Sequence, residues 1–214
     1  MPRPKEIDID PADVDVDGIV AAETLLAAGN FTIGGALASG GSVTFDYPRQ
    51  LVQDCTGNEA GRTWTITGTD EDGVAQTESL SGLNATTGEN AAGVYWSSIT
   101  QIASDDATAN DVAFGTVDEV QTKTYPLDFY ANEAATISVD VTGTIDYTVQ
   151  ETFNPVLDLS SPANNATWVD ITAFADKTAD VTSTATRNAT AVRLTVNSYT
   201  NGAEIQMRII QSRS

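Results

Sequence analysis

The sequence predicts an all-β protein, an antiparallel β-sandwich of jelly-roll-like type with an extended N-terminal arm. Three observations predict it. From Thr136 to Gln150 every odd position is apolar or Gly (Ile137, Val139, Val141, Gly143, Ile145, Tyr147, Val149) and every even one is polar. Successive side chains of a strand face opposite sides of a sheet, so a period of two marks a strand; a helix would scatter those odd residues around its circumference. Short alternating runs are also separated by turn signals, among them Asp72-Gly73 and Asn201-Gly202, residue pairs that accept the positive φ of tight turns. Helical composition, finally, is confined to residues 19–28, Ile-Val-Ala-Ala-Glu-Thr-Leu-Leu-Ala-Ala, closed by Gly29-Asn30.

In chain order, residues 1–18 carry Pro2, Pro4 and Pro11 among spaced acids and read as an extended arm, mobile unless a partner holds it. Residues 19–28 predict one short helix or turn. Strands are expected at 30–33, 42–47, 51–55 and 62–67, the last with Trp64 and Ile66 on one face and Thr63, Thr65 and Thr67 on the other. The turn Thr69-Asp70-Glu71-Asp72-Gly73 returns the chain into a strand at 74–80, and further strands are expected at 94–102, 112–115 and 127–130. After the alternating run come 167–171, 191–196 and 203–210. The last two predict a hairpin around Asn201-Gly202, with Val192, Leu194 and Val196 facing the same core as Ile205, Met207 and Ile209. A change of composition at residues 117–124 divides the chain into 19–118 and 119–214, either as two sandwich domains or as halves of one continuous sandwich.

Composition excludes several functions. The 214 residues suffice for a substantial core, and 41% of them are hydrophobic, which in strict alternation means folding, not disorder. Thirty Asp and Glu against 10 Lys and Arg give a formal net charge of -20. Such a surface repels nucleic acid and anionic membranes, and it keeps the chain soluble. There is no His and one Cys, so a Ser-His-Asp triad, a Cys-His pair, His-containing metal sites and an intrachain disulfide are all excluded. Cys55 reads as a small hydrophobe, with no cationic neighbour in sequence to activate it. Met1-Pro2-Arg3-Pro4-Lys5 leads into acids and not into an apolar run; it is not read as a secretory signal, and synthesis in a cytoplasm is expected.

No motif supplies an active site. Asp13-Val14-Asp15-Val16-Asp17-Gly18 imitates the start of an EF-hand loop, but position twelve, which needs a bidentate Glu, is Thr24, and Glu23 falls one short. The segment reads as a solvated acidic arm. Asp70, Glu71 and Asp72, and likewise Asp105, Asp106 and Asp111, read as soluble turns. Trp64, Trp96, Tyr95 and Trp168 could form a stacking platform for sugars, although Trp64 alternates in phase with Ile66 and core packing suits such large side chains. The acceptor patterns at Asn30, Asn84, Asn165 and Asn188 are the chance products of a chain rich in Asn and Thr. The chain is therefore expected to be no enzyme, to use no cofactor and to bind no metal.

Several segments together carry a resemblance. Gly29-Asn30-Phe31-Thr32-Ile33 leads into Gly35-Ala36-Leu37-Ala38-Ser39-Gly40-Gly41 and Val43-Thr44-Phe45-Asp46-Tyr47-Pro48-Arg49. Trp64-Thr65-Ile66-Thr67-Gly68-Thr69-Asp70, Gly82-Leu83-Asn84-Ala85 and Ser97-Ser98-Ile99-Thr100-Gln101-Ile102 follow. Gly143-Thr144-Ile145-Asp146-Tyr147-Thr148-Val149-Gln150 and Ala191-Val192-Arg193-Leu194-Thr195-Val196 stand near the end. Over residues 25–214 this text resembles a group of small tailed-bacteriophage structural proteins, often encoded near capsid genes. The resemblance implies a virion component on the capsid surface, a decoration or cement protein whose partner is the major capsid protein; it carries over no functional residues.

The residues and the resemblance together lead to one expectation: a non-enzymatic protein that binds the capsid exterior, stabilises it and assembles as a dimer or trimer. A tail or head-to-tail connector protein is the alternative within the virion, and a carbohydrate- or receptor-binding module using Tyr95 and Trp96 the alternative outside it. The arm supplies the partner-binding candidates. Ile7, Ile9, Val14 and Val16 alternate with Asp8, Asp10, Asp15 and Asp17, the pattern of a strand added to an adjacent subunit. On that expectation, deletion of residues 1–18 leaves a folded domain with weakened assembly.

Overall fold

A computed structural model describes residues 4–84, 94–129 and 133–211. Strands take up 51% and helices 5%, and the strands pair antiparallel: the fold is an all-β sandwich, as the alternation predicts. The chain divides into two compact units, Val14–Val117 and a discontinuous one of Met1–Asp13 with Asp118–Ser214. In chain order the strands are β1 (Lys5–Ile9), β2 (Val20–Glu23), β3 (Gly29–Asn30), β4 (Val43–Cys55), β5 (Thr63–Thr69), β6 (Ala75–Ser81), β7 (Trp96–Ser104) and β8 (Val112–Gln121). They continue as β9 (Tyr125–Pro126), β10 (Thr136–Thr142), β11 (Ile145–Thr152), β12 (Val169–Asp170), β13 (Val181–Thr184), β14 (Ala191–Tyr199) and β15 (Glu204–Ile210).

Within Val14–Val117, β4, β7, β5 and β6 lie side by side in that order, β3 pairs with β7, and β2 pairs with the start of β8. The expected strands 42–47 and 51–55 are one strand. Pro48 cannot donate to a ladder, and it falls in a register break between Thr44↔Ser98 and Arg49↔Trp96, where no donor is required. The core is aromatic at its centre: Phe31, Trp64 and Phe114 meet edge to face with centroids 5.3–6.1 Å apart. Residues 19–28 form no helix. Ile19 and Val20 are both fully buried, and Ile19 donates its N–H to the Phe114 carbonyl at 2.9 Å, so strand pairing to β8 overrides local helix propensity.

The discontinuous unit has two sheets, β1-β15-β10-β13 and β12-β11-β14, the second extended by β9 and by the last residues of β8, both on β14. The long alternating run is two strands. At Gly143, with φ +83°, the chain leaves the first sheet at β10 and enters the second at β11. Because the odd residues keep one orientation, Ile137 and Val139 face the core from one side and Tyr147 and Val149 from the other, all fully buried. The expected hairpin at Asn201-Gly202 is likewise an arch. β14 pairs with β11, whereas β15 pairs with β1 and β10; the two strands share a core, as their pattern requires, without sharing a ladder. The arches stack: Thr200 donates to the Thr144 carbonyl at 3.0 Å, and a Cβ at Gly143 would lie 3.1 Å from Ala203.

The arm is where the expectation of a mobile segment fails. β1 pairs with β15 over five positions, from Lys5↔Ile209 to Ile9↔Ile205, and Ile7 and Ile9 are buried at 7% and 1% exposure. Two large apolar residues on one face suffice to seat a five-residue edge strand. Its polar face is held as well, by Gln206 donating to Glu6 at 2.7 Å and to Asp8. Lys5 sits 4.0 Å over the Tyr125 ring, and the Tyr199 hydroxyl donates to the Ala12 carbonyl at 2.6 Å.

Tyr147 links this core to pH. Its hydroxyl donates to the Ala179 carbonyl at 3.0 Å, and burial, then Asp180 and Asp140, push its pKa from 10.0 to about 12. A phenol whose pKa is raised by folding stabilises the fold while protonated, and that contribution disappears as pH climbs through the window from 10 to about 12. Melting temperature is therefore expected to fall across this window, and to fall less in Tyr147→Phe; equal slopes in both proteins would remove Tyr147 as the cause.

Candidate functional site

The acidic motifs are structural. In Asp13–Gly18 the Asp15 main chain pairs with Thr116, whose N–H donates to the Asp15 carbonyl at 2.8 Å; the Asp15 N–H donates to the Thr116 hydroxyl at 3.2 Å. Burial, then the neighbouring Asp17, raise the Asp15 pKa. Thr24, at the position an EF-hand reserves for Glu, donates to Asp111, and Glu23 accepts the Thr32 N–H. Among the described residues no three His, Cys, Asp or Glu side chains converge to hold a metal ion.

The turn carboxylates do the same kind of work. Asp70 accepts the N–H groups of Asp72 and Val74 at 3.0 and 2.8 Å, closing the β5–β6 hairpin. Asp105 accepts the Thr63 N–H at 2.9 Å. Glu59, 2% exposed, accepts the N–H groups of Ala109 and Asn110 at 3.0 and 2.7 Å. Asp70 and Glu59, both 2% exposed, accept backbone N–H groups that would otherwise be left over, and these hydrogen bonds offset part of the cost of burying them. Cys55 is buried, with its thiol pKa raised first by burial, which disfavours the thiolate that would react.

The aromatic platform is not assembled. Trp64 and Trp96 are fully buried, so neither presents a face to a sugar ring. Trp168 is partly exposed, but the Arg193 guanidinium covers its ring at 4.3 Å and its indole N–H donates to the Pro162 carbonyl at 3.3 Å. The four partner-binding candidates separate. Ile7 and Ile9 lie inside β1, whereas Val14 and Val16 are 36% and 48% exposed in a segment that is not a strand.

What the alternation does not point to is an apolar groove in the discontinuous unit. It is lined by Pro126, Leu127, Phe129, Phe153, Pro155, Val156, Leu157, Asp158 and Thr190, and holds about 390 Å³. One wall follows β9; the other is the segment leaving β11, Phe153 to Pro155, and a 3-10 turn at Val156–Asp158. Val156 is buried and anchors that turn, while Phe129, Phe153 and Leu157 are 49%, 52% and 84% exposed. Thr190 sets the floor: its N–H donates to the Thr152 carbonyl and its carbonyl accepts the Leu127 N–H, both at 2.8 Å. Asn154 fixes the outer segment by accepting the Thr167 N–H at 2.8 Å. The missed signal was apolar residues beside prolines, Pro126-Leu127 and Phe153-Asn154-Pro155-Val156-Leu157, lying outside any alternating strand.

A second concavity, about 240 Å³, lies on the outer face of β1, β15 and β10 and is lined by Asp8, Asp10, Asp140 and Glu204 around Gln206. Arg208 lies against Asp140 and Glu6 beside it. Among the described residues no helix is long and apolar enough to cross a membrane. No protein-family model and no curated protein sequence matches the chain.

Proposed function

We propose that this chain is a non-enzymatic structural protein of a tailed-bacteriophage virion, one that binds the capsid exterior and stabilises the shell. The observation that carries the reading is the exposed apolar groove on a chain of net charge -20. Large exposed apolar side chains gathered in one place mark an interaction surface, and the charge keeps a protein made to bind a partner from associating indiscriminately. The resemblance to small phage structural proteins supplies the kind of partner. Packaged DNA fills a capsid's interior and repels an acidic chain, which favours the outside.

Adding the purified protein to particles that lack it is expected to raise their resistance to heat and osmotic shock, with many copies bound per particle. A ligand that binds only the assembled shell stabilises it by mass action. Binding at a single vertex would replace this reading with a connector. Saturable binding without added stability would replace it with a receptor-binding role.

A further inference from the structure

The geometry points to one occupant for the apolar groove: an apolar segment flanked by Lys or Arg, contributed by another protein, which inserts its side chains and does not add a strand. The inference rests on the groove being the docking surface of the proposed structural role, and it fixes the chemistry of what docks there. Three observations carry it.

The volume of about 390 Å³ falls among sites that enclose ligand-sized groups, about 300–1,000 Å³. Leu157, 84% exposed, stands beside Phe153 as an anchor that only an incoming apolar group would desolvate. The backbone around the groove, next, is closed to strand addition. Pro126 and Pro155 have no N–H, the N–H groups of Leu127 and Thr190 are already donated, and the Asp158 N–H goes to the Pro155 carbonyl at 2.9 Å. Main-chain pairing needs a row of open donors and acceptors, so affinity must come from side chains.

Charge then selects the partner. Asp158 is exposed and lines the groove, and the whole chain carries -20. A second copy carries the same net charge of -20 and the same acidic groove rim, so it would approach this surface against like charge. Like charges across an interface suppress that pairing, whereas a basic rim on the partner is steered in.

The test uses the full chain and two labelled synthetic peptides with the same Leu and Phe positions, one interspersed with Lys and the other with Glu. Fluorescence anisotropy is expected to show saturable, salt-sensitive binding of the Lys peptide and none of the Glu peptide. The double variant Phe153→Ser, Leu157→Ala removes two of the groove's exposed side chains and, with an unchanged far-UV spectrum as its check on folding, is expected to weaken Lys-peptide binding about tenfold or more. Asp158→Lys is expected to weaken it as well and to raise its residual salt-independent fraction. Equal binding of both peptides, or unchanged binding by the double variant, overturns the inference; so does concentration-dependent self-association that the double variant abolishes. The two readings fail separately. If the Lys peptide does not bind but the protein still stabilises particles, the groove chemistry is wrong and the function stands. If the peptide binds and particles are untouched, the groove chemistry stands without the capsid.

Discussion

Truncation before Asp10 is expected to destabilise the discontinuous unit, and not merely to remove a tail. Losing β1 uncovers the edge of β15 along five paired positions and leaves the sites filled by Ile7 and Ile9 empty. The single substitution Ile9→Ala isolates the packing part, because it keeps the ladder and deletes a side chain that is 1% exposed. Its cost is expected at about 2–5 kcal/mol, the usual range for a buried Ile cut to Ala. Glu6→Ala removes only polar partners on the exposed face and is expected to cost less than about 1 kcal/mol. Hydrogen exchange localises the outcome: in Ile9→Ala, protection should fall in β15 and β10 and stay unchanged in β5 and β7. The truncated chain, with an open edge strand, is expected to aggregate. If it instead stays folded and soluble with β15 fully protected, β1 contributes nothing to the unit, and the arm is free to serve a neighbour as the sequence alone had suggested.

That contrast marks where sequence patterning stops. A period of two states which face each residue takes, and those assignments hold for Ile137, Tyr147, Leu194 and Met207, all buried at 0% exposure. It does not state which strands pair. Asn201-Gly202, and likewise Gly143, supply a positive φ that suits a two-residue hairpin and an arch between sheets equally well, so turn chemistry cannot separate the two. The seating of the arm is illegible for a related reason: two apolar residues in five look too few to hold a strand unless an open edge such as that of β15 is already known to await them. The groove was least legible. Its walls come from residues 126–129 and 153–158, separated in sequence, and Phe153 and Leu157 belong to no regular period. Glu151, just past the alternating run, is an acid buried at a position in phase with the core-facing residues of β11. It is 5% exposed because the Thr186 main chain and hydroxyl both donate to it.

The other large effect is expected at Gly115, in the unit Val14–Val117. A Cβ there would lie 2.0 Å from the Asp15 carbonyl oxygen and 2.2 Å from the Val16 carbonyl carbon. Both are backbone atoms held in place by the Thr116–Asp15 pairing, so no rotamer change relieves the contact. Further along the same segment, a Cβ at Gly35 would come within 2.4 Å of the Gly18 carbonyl. The acidic stretch from Asp15 to Gly18 is thus a strap whose backbone approaches two glycines closely, Gly115 at its start and Gly35 at its end. Gly115→Ala is expected to cost about 3 kcal/mol or more, at or above the top of the usual overpacking range because the strap must leave its seat. Asp13→Asn and Asp17→Asn remove charge without touching the close approach, and are expected to change stability by less than about 0.5 kcal/mol. Denaturant unfolding followed by hydrogen exchange across β8 and residues 15–18 separates the two interpretations of this segment. Loss of protection in Gly115→Ala with the aspartate variants unchanged is the signature of a strap. Large losses in the aspartate variants, with Gly115→Ala tolerated, would mean that the carboxylates and not the backbone contact give the segment its role.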